Sequence, residues 1–143
     1  MSQCSPEITT RRELCNQLVR AKENATIRLI DSLPAIWQLS KQKVDAIEDP
    51  EVDCYISDVL LYLQMCRASF DIALYDEEWI DNMDELRECI KTMRKDVDLS
   101  VVDLAKRARV SSHIIERFLY NKGNLSTDSF LRILNALGAS LTI

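Results

Sequence analysis

Residues 99–123 hold two short apolar repeats of helical spacing joined by three residues, and no other stretch constrains the fold as tightly. Ser100 is placed to cap the first repeat, with Asp103 three residues on as its partner. Leu104 and Ala105 supply the buried side of that helix, and a small residue suits a close helix crossing. A turn is expected at Ala108-Arg109-Val110, with a new cap at Ser111. The second repeat, Ile114, Ile115, Phe118 and Leu119, gives one buried helical face. Its outward positions are then Ser112, His113, Glu116, Arg117 and Tyr120, all able to hydrogen-bond. This is the layout of a helix-turn-helix motif, whose second helix lies in a DNA groove.

The flanking residues extend the pattern. Leu99-Ser100 opens the first helix of the pair, Asp103-Leu104-Ala105 lies inside it, and Val110-Ser111 sits at the turn. Downstream come Gly123-Asn124-Leu125-Ser126 and then Phe130-Leu131-Arg132-Ile133-Leu134-Asn135-Ala136-Leu137-Gly138. On these pieces the stretch from about residue 84 to 143 resembles the phage-repressor-like (Xre, or Cro/CI-type) helix-turn-helix domains. Three positions depart from that family: Arg109 stands where Gly is frequent, Val101 where a phosphate-binding Gln is frequent, and Leu119 where Glu is frequent. The resemblance implies a five-helix DNA-binding domain over residues 81–143. Ser112, His113, Glu116 and Arg117 would face base edges, Lys106, Arg107, Arg109 and Lys122 would flank them on phosphates, and Ser111 and Asn121 would also touch DNA.

Charge is distributed to match. Residues 87–143 hold ten Lys/Arg against six Asp/Glu, near +4, whereas residues 1–86 hold eight against seventeen, near −9. The whole chain carries −5. A basic end beside an acidic one suggests one part that meets nucleic acid and another with a separate task. Net acidity does not forbid DNA binding, because salt screens charges beyond about 8–10 Å.

Other classes are disfavoured. Two Gly and three Pro in 143 residues argue against a β-rich fold with many tight turns. The longest apolar run is far short of the roughly 20 residues a membrane span needs, and no signal peptide is expected at the start of this sequence. Five cysteines (Cys4, Cys15, Cys54, Cys66, Cys89) with no C-x-x-C pair and one histidine build neither a zinc site nor a disulfide framework. Reduced thiols and a cytoplasmic location are the simplest expectation. His113, the one histidine, lies in the second helix of the motif, so no Ser-His-Asp or Cys-His arrangement forms elsewhere. No Gly-rich phosphate loop is present. No catalysis, cofactor or metal is expected; Asp53, Asp58 and Asp76-Glu77-Glu78 read as solvated faces and caps, and Trp37, Tyr55, Tyr62 and Trp79 as core or interface.

The first half reads as helical. Thr10-Arg11-Arg12-Glu13 is a capping box ahead of Leu14, Leu18, Ala25 and Leu29, with Val19, Ile30 and Leu33 alongside. Pro34 ends or kinks that helix. A second segment carries Ile36, Trp37, Leu39, Val44 and Ile47. Asp49-Pro50-Glu51 then reads as a helix start, leading into a heptad seam of Val52, Ile56, Val59, Leu63, Cys66, Phe70 and Ala73, widened by Leu60, Leu61, Met65 and Leu74. Such a broad seam suits a bundle core first and a dimer interface second. A restart at Asp76-Glu77-Glu78 leads to Trp79, Ile80, Met83, Leu86, Ile90 and Met93. Ala139–Ile143 follows Gly138 with strand-like alternation, and in some relatives of the family such a tail pairs with its twofold mate.

The expected fold is therefore all-α: an acidic helical region over 1–80 for dimerisation or partner binding, then the helix-turn-helix domain over 81–143. The expected function is sequence-specific binding of double-stranded DNA as a homodimeric repressor. An antitoxin of a toxin–antitoxin operon has the same outline, with a toxin bound by the N-terminal half and no membrane involved. A protein-interaction module that keeps the fold without reading DNA is the alternative. Two seams are open for self-association: the helix expected over 49–74 and the Leu141/Ile143 strand.

Overall fold

A computed structural model describes residues 7–24, 39–66, 68–72, 80 and 82–143. Those residues form seven helices and a small two-stranded sheet. In chain order they are α1 (Arg11–Asn24), α2 (Lys41–Glu48), α3 (Ile56–Met65), β1 (Asp71–Ile72), α4 (Met83–Asp96), α5 (Val101–Ala108), α6 (Ser112–Tyr120), α7 (Thr127–Ala136) and β2 (Leu141–Thr142). None of the described helices is long and apolar enough to cross a membrane.

Helix α1 starts as its sequence predicts. The Glu13 carboxylate accepts from the Thr10 amide at 3.0 Å while the Thr10 hydroxyl accepts from the Glu13 amide at 3.2 Å, a closed capping box. Further bonds from the Thr9 amide and hydroxyl hold this exposed carboxyl below its ordinary range. Leu14, Cys15 and Leu18 are buried from α1, and the half-buried Arg11 reaches the far end of α2. There its guanidinium donates at 2.9 Å to both the Ala46 and Ile47 carbonyls, which a helix C-terminus leaves open. Ser40 caps α2, later than the expected segment start. The expected roles of Ala25, Leu29, Ile30, Leu33, Pro34, Ile36, Trp37, Ala73, Leu74, Asp76, Glu77, Glu78 and Trp79 fall outside the described residues.

The expected long helix over 49–74 is corrected. Asp49 ends α2, and its side chain accepts from the Glu51 amide in a local turn; no helix starts there. Val52 is left exposed. Helix α3 begins only at Ile56 and stops at Cys66, and the next residues pair as strands. Phe70 and Ile80 exchange two backbone bonds, and β1 lies antiparallel to β2 with Ile72 opposite Leu141. A seven-residue spacing survives such a break because α-helix and strand both bring Leu63, Cys66 and Phe70 inward. Helix α3 is buried on both sides by Ile56, Val59, Leu60, Tyr62 and Leu63, so its seam is intramolecular core.

The second proposed seam is likewise used within the chain. Leu141 bridges Ile72 on one edge and Ile8 on the other, the latter through the Ile8 amide at 2.7 Å. A pleated strand has two edges, and both are taken here. One apolar cluster then runs through the whole described chain, from Ile8 and Leu14 through Tyr62 and Phe70 to Ile90, Phe118, Phe130 and Leu141. Phe70 stacks on Phe130 at 5.8 Å between ring centres. Residues 82–143 carry four helices where five were expected.

Burial also sets the alkaline limit of stability. Tyr62, fully buried, donates to Glu48 at 2.6 Å, and desolvation together with that carboxylate pushes its ionisation far upward. Desolvation pushes the Cys66 thiol up to about 11 and that of Cys89 up to about 12. Folded pKa values above unfolded ones mean that the unfolded chain releases these protons first. The stabilisation is therefore intact below about pH 8.5 and lost as pH rises beyond it. Each such thiol makes unfolding easier by about 1.4 kcal/mol per pH unit across that window. Urea unfolding at pH 8 and pH 10.5 checks this: the loss of stability between the two should be smaller in Cys89→Ala.

Four helix ends in the second half share one device. Asp98, Arg109, Lys122 and Gly138 all take positive φ (55°, 58°, 52° and 72°). In each case the following amide reaches back to a carbonyl within the helix: Leu99 to Arg94, Val110 to Ala105, Gly123 to Arg117 and Ala139 to Leu134. Only the last position has a glycine, and a side chain in this conformation costs about 1 kcal/mol. Arg109→Gly should accordingly be about 1 kcal/mol more stable than Arg109→Ala, a pair that removes the same charge. Equal urea midpoints for the two variants would contradict the strain at this turn.

Candidate nucleic-acid interface

Local chemistry builds the motif. The Ser100 hydroxyl accepts from the Asp103 amide at 3.1 Å and starts α5. Leu104, Ala105 and Ala108 bury its inner side, the two alanines permitting close approach to α6 and α7. The turn is Arg109-Val110-Ser111, with Val110 buried beneath it. Ser111 makes no side-chain cap, contrary to expectation; α6 starts instead on the extended backbone that the turn delivers. Ile115, Phe118 and Leu119 face inward. Ile114 does not, and at 42% exposure it leaves the expected buried stripe. Its position lies about a quarter of a turn from the inward centre of the helix, on the flank beside Arg117. Ser126 caps α7 through the Ser129 amide at 3.1 Å.

All ten residues expected to touch DNA are exposed: Lys106, Arg107, Arg109, Ser111, Ser112, His113, Glu116, Arg117, Asn121 and Lys122. Helix α6 carries Ser112, His113, Glu116 and Arg117 on its outward side. The end of α5 and the turn bring Lys106, Arg107 and Arg109 to one flank, and Asn121 and Lys122 close the other end of α6. Among the described residues, none of these ten side chains is engaged in an intramolecular hydrogen bond or ion pair. The motif therefore holds a concentrated set of uncommitted polar and cationic groups.

Three further arginines were not singled out by the sequence. Arg87, nearly buried on α4, donates from Nε to the Phe118 carbonyl at 2.8 Å and from Nη2 to the Gly123 carbonyl at 3.1 Å. Its guanidinium also lies over the Phe118 ring. Arg94 donates to the Leu99 carbonyl and to the Tyr120 hydroxyl, each at 2.9 Å. Tyr120 is thereby tied to α4, where Lys91 lies over its ring, although it still faces outward at 51% exposure. Two of the ten basic residues in the charge tally thus serve the C-terminal end of α6. Arg132 on α7 shares a groove of about 390 Å³ with Arg107 and Arg109, although it is also paired with Asp128 at 3.1 Å. Arg87 also pairs with Asp84 three residues earlier in α4, at 3.0 Å. Its acceptors at Phe118 and Gly123, like the Tyr120 hydroxyl that Arg94 meets, lie far along the chain and leave no local pattern.

The first half meets the motif directly. The Leu125 carbonyl accepts from the Ile56 amide at 2.8 Å, and the Cys54 carbonyl accepts from the Thr127 amide at 2.7 Å and the Thr127 hydroxyl at 2.9 Å. Asn124 donates to the Ser57 hydroxyl at 2.7 Å. Tyr55, opposite Ser126 in this pairing, stands exposed beside α6. Of the two expectations for Tyr55, core or interface, the exposed position excludes the core.

With this geometry in hand, comparison with family models, with curated proteins and with solved structures gives no match.

Removing the Arg87 guanidinium leaves the Phe118 carbonyl of α6 and the Gly123 carbonyl of the loop that follows without their donors. Unpaired buried acceptors cost about 1–3 kcal/mol each, so Arg87→Met should lower unfolding stability by about 2–4 kcal/mol. Urea titration measures it, and a variant as stable as the parent would show that water or another group serves those carbonyls.

Proposed function

We propose that this protein binds double-stranded DNA sequence-specifically and acts as a transcriptional repressor, with residues 82–143 serving as a helix-turn-helix module of the Xre-like kind. The observation that carries the reading is the exposed, uncommitted set of side chains around α6. A structural role for these residues would have left partners nearby.

The mechanism follows from their chemistry. Lys106, Arg107, Arg109 and Lys122 bind phosphates and release condensed counterions, which makes affinity fall with salt. Held in this way, α6 presents Ser112, His113, Glu116 and Arg117 to base edges in the major groove. Arg117 is the natural reader of guanine O6 and N7, and Glu116 accepts from a cytosine amine. Ser111 and Asn121, at the two ends of α6, add hydrogen bonds to the backbone. Two copies on half-sites about 34 Å apart would give the contact area that one small module lacks. Neither the α3 seam nor the β2 strand is open for that pairing.

Gel-shift titration with duplexes selected from a random library, at low and at physiological salt, tests the reading. Arg117→Ala should cost about 1–3 kcal/mol on the selected site and relax choice at one base pair. Lys106→Ala should weaken all duplexes alike and flatten the salt slope by about one unit. The reading fails if the chain selects no duplex, or if both variants bind as the parent does.

A further inference from the structure

We infer that the base-reading surface is composite: Tyr55, from the first half of the chain, and Ile114 form a seat for a thymine methyl group beside the guanine read by Arg117. This inference rests on the DNA-binding reading above. It extends that reading to a residue outside the helix-turn-helix segment and to a base.

The seat is a hollow of about 240 Å³ lined by Tyr55, Ile114, Arg117, Gly123 and Asn124. Tyr55 is 57% exposed and Ile114 42% exposed, so both spend apolar surface on solvent in the isolated chain. Their neighbours are fixed. Asn124 uses its amide nitrogen on the Ser57 hydroxyl at 2.7 Å and its oxygen on the Leu125 amide at 2.9 Å. Tyr55 itself is held by the antiparallel bridge to Ser126 and by the Ile56–Leu125 bond. Gly123 lets the loop pass close to α6, since a Cβ there would meet the Arg117 backbone at 3.1 Å. Backbone pairing between the two halves therefore sets where the residues lining the hollow stand.

Its chemistry selects the occupant. The Tyr55 ring face and the branched Ile114 side chain are apolar and suit a methyl group, while the Tyr55 hydroxyl keeps its own capacity to bond a phosphate or a base edge. Arg117 on the same rim demands an acceptor next to the apolar group. In the major groove, thymine is the one base that presents a methyl, and guanine presents the paired acceptors that an arginine fork takes. A thymine adjacent to a guanine satisfies the ring, the aliphatic and the cation together.

The test uses the full chain. Duplexes are selected from a random library, and each thymine in the selected site is replaced in turn by deoxyuracil, which removes only the methyl. Binding is then measured for the parent, Tyr55→Ala and Ile114→Ala, with circular dichroism confirming that these exposed-site variants are folded. At one thymine next to a guanine, the parent should lose about fourfold in affinity, the worth of one methyl-sized group removed from water. Both variants should bind the thymine duplex more weakly than the parent and be indifferent to the replacement. The seat is overturned if every replacement leaves the parent unchanged, or if either variant keeps the parent's sensitivity. A chain that selects no duplex removes the DNA-binding reading and the seat together. Selection with a normal Arg117→Ala penalty and no methyl effect removes the seat alone.

Discussion

The starts of α3 and α7 complete one another, and the relative placement of the two halves depends on that exchange. A helix N-terminus leaves amides without intrahelical acceptors. Tyr55, at the cap position of α3, makes no side-chain cap, and the first amide of the helix, Ile56, is taken by the Leu125 carbonyl. In return the Cys54 carbonyl receives both the amide and the hydroxyl of Thr127, which is fully buried. Buried polar groups that lose partners are expensive, so this reciprocal arrangement locks α3 against the loop that follows α6. Arg87 locks the same loop from the α4 side. The outward face of α6 is thus held from behind by two independent sets of bonds to backbone carbonyls.

Such support explains how strained residues persist nearby. Arg109 and Lys122 both adopt a left-handed backbone without being glycine. Their strain is tolerated because neighbouring amides close well-formed bonds around them, Val110 to Ala105 and Gly123 to Arg117. On the proposed function, the two positions have a reason to remain cationic, since they stand at opposite ends of the helix that would enter the groove. Stability is given up where charge is wanted.

How much of this was legible in the sequence depended on where each element finds its partners. The Thr10–Glu13 box, the Ser100 cap and the Gly138 stop involve neighbours in the chain, and all form as the sequence predicts. The apolar stripe of α4 was equally readable, because Leu86, Ile90 and Met93 repeat on one face. The start of α3 was misread. Asp49-Pro50-Glu51 has the chemistry of a helix start, yet it forms a turn, while the true start is capped by a residue 69 positions further along the chain, Leu125. The heptad spacing then ran on past Cys66 because strand residues that face the core also keep step with it. In the candidate interface, the outward placement of Ser112, His113, Glu116 and Arg117 followed from helical periodicity. The neighbourhood of Tyr55 did not, since only the tertiary pairing brings it to α6.

The double pairing of Leu141 has a consequence for the order in which the molecule forms. Helices α4 to α7 meet near neighbours and close short loops, whereas Ile8 and Ile72 both wait for a strand made long after them. Asn135 and Thr9, bonded at 3.2 Å close to that strand, are 126 residues apart. Closing so long a loop carries an entropic cost that grows with its length, and contacts of that separation form late. During synthesis, therefore, the helices of the second half can assemble among themselves, while Ile8 and Ile72 stay unpaired until residue 141 emerges. The exposed apolar edges of the first half over that interval make it the part most in need of protection from association with other chains.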